Sequence, residues 1–174
     1  MEFRLAQKRM LFCAALFSFG TLSGALTMSE LSAGLTEMMA DRLVSAVFLH
    51  PYMLVPGTFI LGPLLMIVFG LSPAGTFFVS LILLLCGFGV GALEALALRC
   101  FAFSPIPVSY ALPYVLCSIL IGSSMLRTAS LFRAYLRSGG RLRPDFLSDL
   151  PRILCALAVM LLAAFCLTAY LVNA

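Results

Sequence analysis

The chain has 174 residues, of which 63% are hydrophobic and 10% charged, against about 45–50% and about 25% in an ordinary soluble domain. Mean hydropathy is +1.12, which leaves too little polar side chain to cover a water-facing body of this size, so a soluble globular domain and a disordered chain are both excluded. Eleven Lys and Arg against seven Asp and Glu give a net charge of +4, and the placement of those charges along the chain carries the information.

A helical crossing takes about 20 mostly apolar residues. Five runs reach that length: residues 10–28, 52–70, 76–98, 106–126 and 153–171. None alternates apolar and polar positions as barrel strands do, and open strands would leave backbone groups unpaired in lipid, so the runs predict helices. The fold class expected is all-α: a polytopic bundle of five spans, forming one integral membrane domain over residues 1–174. The first run follows Arg4, Lys8 and Arg9 and resembles a signal peptide, with Ser23 and Ala25 as small residues for cleavage. Its apolar stretch of about 19 residues exceeds the usual 7–15 of such peptides, which favours a retained first span.

Between the first two runs, residues 29–50 carry Leu31, Leu35, Met38, Met39, Leu43 and Val47 at helical spacing, with Glu30, Glu37 and Asp41 elsewhere. This predicts an external amphipathic helix, anchored to the bundle or the membrane by Leu35, Met39 and Leu43, with Glu37 and Asp41 exposed towards a partner. Residues 71–75 and 99–105 read as tight turns, and residues 127–152 as a basic cytoplasmic loop.

The eleven basic residues sort by side. Arg4, Lys8 and Arg9 precede the first span, Arg127, Arg133, Arg137, Arg141, Arg143 and Arg152 lie between the fourth and fifth, and only Arg42 and Arg99 fall elsewhere. Four crossings separate the two groups, so they share one side, which the positive-inside rule makes cytoplasmic. The chain is thus expected in the cell membrane, with its amino terminus inside and its carboxyl terminus outside. Basic residues near an anionic leaflet contact lipid directly. The loop lacks the aromatic interleaving and folded scaffold of a nucleic-acid binder, so no nucleic-acid partner is expected.

Intramembrane catalysis needs gathered groups, such as paired carboxylates, a Ser with a His base, or a His-Glu cluster on zinc. The sequence offers none: His50 is the one histidine, and Asp41, Asp145 and Asp149 fall outside the apolar runs. Cys13, Cys86, Cys117, Cys155 and Cys166 sit in apolar runs without metal-type or redox-type spacing, and Cys100 lies just beyond one, so they read as small apolar fillers. No enzyme activity, cofactor, metal or disulfide is expected. Glu94 is the one acid inside an apolar run, where an unpaired carboxylate costs several kcal/mol. With Arg99 it forms a candidate polar intramembrane site, either as an interfacial pair or as a functional group within the bundle.

Small residues recur four apart as Gly20 and Gly24, then Gly87, Gly91 and Ala95, and then Ser118 and Gly122. Such rows flatten a helix face and let backbones approach, within the chain or between it and a second copy. Pro56 and Pro63 in the second run, and Pro107 and Pro113 in the fourth, remove backbone donors and can kink their helices.

These features resemble one family. The basic start, a Gly-containing first span, an external amphipathic segment, Phe48-x-His50 opening the second span and Leu61-Gly62 within it, a Gly-rich third span, and a Pro-containing fourth run leading into Arg127, Arg133 and Arg137 are together similar to stage II sporulation protein M and its relatives. The resemblance implies a non-enzymatic scaffold that recruits peptidoglycan-degrading enzymes during engulfment. Its partners would be membrane or cell-wall proteins docking through Glu37 and Asp41. A small transporter or channel subunit, acting as an oligomer or beside a permease, is the alternative. It requires a continuous polar cavity reaching Glu94, where the scaffold requires a closed bundle.

Overall fold

A computed structural model describes residues 2–49, 51–100, 105–138 and 148–173. The described residues form six helices: α1 Glu2–Glu30, α2 Ala33–Leu49, α3 Pro51–Gly70, α4 Gly75–Cys100, α5 Pro105–Arg137 and α6 Leu150–Asn173. Four stretches are long and apolar enough to cross a membrane, namely Arg4–Glu30, Gly75–Arg99, Ala111–Arg137 and Leu150–Ala169, and Phe59–Gly70 is a shorter apolar segment. A multi-pass membrane protein is plausible on this ground. His50, Gly139, Gly140, Arg141, Arg143 and Asp145 lie outside the described residues.

The helix limits depart from the apolar runs for a physical reason. Hydropathy marks where lipid lies, whereas a helix continues until its backbone is capped or broken. Thus α5 runs on through Arg127 and Arg133 to Arg137, taking up the first part of the segment expected as loop. In the same way, α1 begins at Glu2, ahead of Arg4, Lys8 and Arg9. Between α1 and α2 the break is short, and Ser32 caps the second helix by accepting the Thr36 amide at 3.1 Å. The α3–α4 connection is a tight turn in which Ser72 N–H donates to the Phe69 carbonyl at 3.1 Å and Gly75 N–H to the Ser72 carbonyl at 2.9 Å. Gly75 suits this corner because a Cβ there would lie 2.7 Å from the Gly70 carbonyl oxygen and 3.0 Å from Ala129 Cβ.

The register of close approaches gives the helix directions. Phe17 faces Gly87 and Thr21 faces Gly91, so the numbers rise together and α1 runs parallel to α4. Gly62 lies beside Tyr114 and Gly70 beside Met125, so α3 runs parallel to α5 and opposite to α4. One end of the bundle therefore gathers the start of α1, the α3–α4 turn and the end of α5. The other end carries the α1–α2 junction and the end of α4.

Helix α5 is central. Half of its apolar window is buried, against 22% for α1, α4 and α6, and it touches α1, α3, α4 and α6. The core is filled by Phe17, Met66, Leu83, Ile121, Met125 and Met160. Large apolar side chains such as Phe19, Leu22, Phe77, Leu85, Leu162 and Phe165 stand more than half exposed around the outside, an arrangement suited to lipid and costly in water. Thr21, Ser80, Thr128 and Thr168 each donate to the carbonyl four residues back, which satisfies hydroxyls that would otherwise lack a partner.

Candidate functional site

The tightest packing lies between α1 and α4, where two rows of glycine interlock. A Cβ on Gly20 would overlap the Leu84 carbonyl oxygen and one on Gly24 the Phe88 carbonyl oxygen, while Gly87 and Gly91 are closed in the same way by Phe17 and Thr21. Each glycine faces backbone rather than a side chain, so neither helix can yield by changing a rotamer. Carbonyl oxygens against Cα positions also suit weak Cα–H···O contacts and dispersion, which replace the hydrophobic drive that lipid does not supply. These four glycines are used within the chain. Ala95 continues the α4 row and is half-buried. On α5, Ser118 is buried with its hydroxyl unpartnered among the described residues. Gly122 admits Leu83 of α4, whose Cδ1 would stand 3.2 Å from an added Cβ.

At the α2 end, Arg99 ties three elements together. Its Nη2 donates to the Ser29 carbonyl at 2.6 Å, and its Nη1 to the Leu31 carbonyl at 3.2 Å and to Thr36 Oγ1 at 3.4 Å. The guanidinium thus supplies donors to orphan carbonyls after the last turn of α1, where the helix dipole also favours a cation. Glu94 is not its partner, and no hydrogen bond or ion pair engages the Glu94 carboxylate among the described residues. Chain-local reasoning pairs these two because they are five apart, yet the carbonyls that win lie some seventy residues back.

Thr36 and Ala40 of α2 are buried, whereas Leu35, Met38 and Met39 are exposed. Small residues four apart allow the closer approach, so α2 packs on the bundle through Thr36 and Ala40, and of the two expected anchoring surfaces Leu35 and Met39 have the membrane rather than the bundle before them. The Leu43 side chain lies outside the described set. Glu37 and Asp41 are exposed, on the side roughly opposite Leu35 and Met39 at about 100° per residue. A notch of about 340 Å³ bounded by Leu31, Ala33, Thr36, Glu37 and Arg99 opens beside them.

The opposite end is basic. Arg127 Nη1 lies 3.3 Å from both carboxylate oxygens of Asp149, and Arg152 Nη1 lies 3.5 Å from one of them. Asp149 is also the cap of α6, since its carbonyl accepts the Ile153 amide at 3.1 Å. Arg133 donates to Thr76 Oγ1, closing α5 onto the start of α4. Among the described residues no group of His, Cys, Asp and Glu is placed to hold a metal ion. Compared with known protein families, with curated proteins and with solved structures, the chain matches none.

Proposed function

We propose that the chain is a non-enzymatic integral membrane scaffold, crossing five times with its amino terminus cytoplasmic and its carboxyl terminus external, and that α2 is its external docking element. The observation that carries the reading is the closed centre of the bundle. Large apolar side chains from α1, α3, α4, α5 and α6 pack together there, where a transport route would need a polar lining. The rival reading, a transport or channel subunit, draws on Glu94, whose carboxylate has no partner among the described residues. The groove that Glu94 lines, however, is walled mostly by apolar side chains, among them Val90, Leu93, Ala111 and Leu167, and these do not hydrate a polar solute.

Five crossings follow if α3 spans, and its 20 residues reach about 30 Å at 1.5 Å per residue. Parallel α1 and α4 support this count, because a non-crossing α2 followed by a crossing α3 returns α4 to the direction of α1. The basic end, with Arg127, Arg133 and Arg152, is then cytoplasmic by the positive-inside rule. Helix α2 offers Glu37, Asp41 and the notch beside Arg99 to an external protein. The partner class proposed, peptidoglycan-degrading enzymes acting in sporulation engulfment, is supported by the sequence resemblance alone.

The test is recovery of such an enzyme with the intact chain in mild detergent. Replacing both Glu37 and Asp41 by Lys is expected to weaken recovery several-fold without lowering membrane yield, and Glu94→Gln to leave it unchanged. Normal recovery with the double variant, together with loss of function in Glu94→Gln, would replace the scaffold by the transport reading.

A further inference from the structure

A groove of about 530 Å³ opens on the side of the bundle between α3, α4 and α5, with Leu167 of α6 at its margin. Its α4 wall runs from Ile82 through Cys86, Gly89 and Val90 to Glu94, and the twelve helical steps between the first and the last cover about 18 Å. That length is comparable with one leaflet, about half of a hydrocarbon core roughly 30 Å thick. Glu94 is the charged group in the lining, lies at the α2 end, and has no hydrogen-bond or ion-pair partner among the described residues.

Gly89 adds a second observation. A Cβ there would meet nothing within 4 Å, so this glycine serves no helix contact, unlike Gly87 and Gly91 on the facing side of the same helix. A mid-helix glycine lowers helix stability, and what its missing side chain provides here is depth in the groove. The site therefore has an apolar trough of one-leaflet length, a relieved floor, and an uncompensated carboxylate at the end where a lipid headgroup would sit.

We infer that the groove holds one acyl chain of a phospholipid bearing a primary amine, ethanolamine being a headgroup of that kind, with the ammonium against Glu94. A carboxylate in an apolar wall gains most from a group with both positive charge and N–H donors. A quaternary ammonium brings the charge without the donors, and an anionic headgroup without an amine is repelled. The inference goes beyond the scaffold reading and does not depend on it, since it requires only that these helices lie in a membrane.

The test uses the full-length chain, purified and offered an equimolar mixture of phosphatidylethanolamine, phosphatidylcholine and phosphatidylglycerol of the same acyl chains, with bound lipid read by native mass spectrometry. The wild-type protein is expected to retain the ethanolamine lipid preferentially. Glu94→Gln is expected to lower that preference about tenfold, the scale of a hydrogen bond to a charged group, while still binding an acyl chain. Gly89→Leu is expected to fill the trough and abolish retention of all three lipids, with thermal stability in detergent not lowered, because the new side chain enters open space and favours the helix. Equal retention of the three lipids by the wild type, an unaltered preference in Glu94→Gln, or wild-type lipid binding by Gly89→Leu would each overturn the inference.

Discussion

Gly91 stands so close to α1 that a Cβ on it would lie 2.7 Å from the carbonyl carbon of Thr21 and would overlap its oxygen. The Thr21 hydroxyl, in turn, donates to the Phe17 carbonyl at 2.8 Å, and that carbonyl is the group packed over Gly87. Backbone of one helix and missing side chains of the other thus form a single contact. Gly91→Ala should force the helices apart and destabilise the protein by about 1–3 kcal/mol, the range for overpacking. Gly89→Ala, two residues away and facing open space, should be neutral or should stabilise by up to about 1 kcal/mol through helix propensity. Thermal unfolding of the two variants in the same detergent measures the difference, and equal midpoints would remove the argument.

At the basic end, the buried partner matters more than the exposed one. The Asp149 side chain is 6% exposed, while those of Arg127 and Arg152 are 31% and 75% exposed. Asp149→Ala keeps the backbone carbonyl that caps α6 but leaves Arg127 without its acid, and a loss of about 1–3 kcal/mol is expected. Arg152→Ala breaks a solvent-exposed pair and should cost no more than about 0.5 kcal/mol. Denaturation in detergent of the two alanine variants checks the order, and a larger effect at Arg152 would show that the ion pair has been assigned to the wrong arginine.

Arg99 holds the α1–α2 junction through bonds to Ser29, Leu31 and Thr36. Arg99→Ala should therefore speed hydrogen exchange at residues 29–36 while leaving the α1–α4 glycine contact protected. Arg99→Lys should restore only part of the protection, because a single ammonium cannot reproduce the forked geometry of the guanidinium. Unchanged exchange at the junction in the alanine variant would mean that Arg99 does not fasten α2.

The parts legible in the sequence are those set by local spacing and by lipid. Continuous apolar runs mark where helices lie, and glycine four apart on α1 and α4 marks where flat faces lie. The partner of each face is a tertiary fact that no window along the chain contains. Helix ends were less legible: α5 continues to Arg137 because charged residues do not break a helix, although they end an apolar run. The apolar pattern of α2 does not say which surface its large side chains meet: Thr36 and Ala40 permit the closer approach and face the bundle, while Leu35 and Met39 face away from it. Along the chain Glu94 is the near partner for Arg99, whereas the carbonyls that Arg99 bonds lie at the α1–α2 junction. The groove has no sequence signature: Gly89 falls two residues from Gly87 and Gly91, off the row they form, and nothing along the chain says what its own face meets.

Five crossings with α2 outside make one demand that labelling can settle directly. In a cysteine-free background, Asp41→Cys in α2 and Ser138→Cys at the end of α5 would be treated on intact cells with a thiol reagent that does not cross membranes. The account predicts that Asp41→Cys is labelled from outside and Ser138→Cys only after the membrane is opened. Labelling of both positions from the same face of the membrane would contradict it.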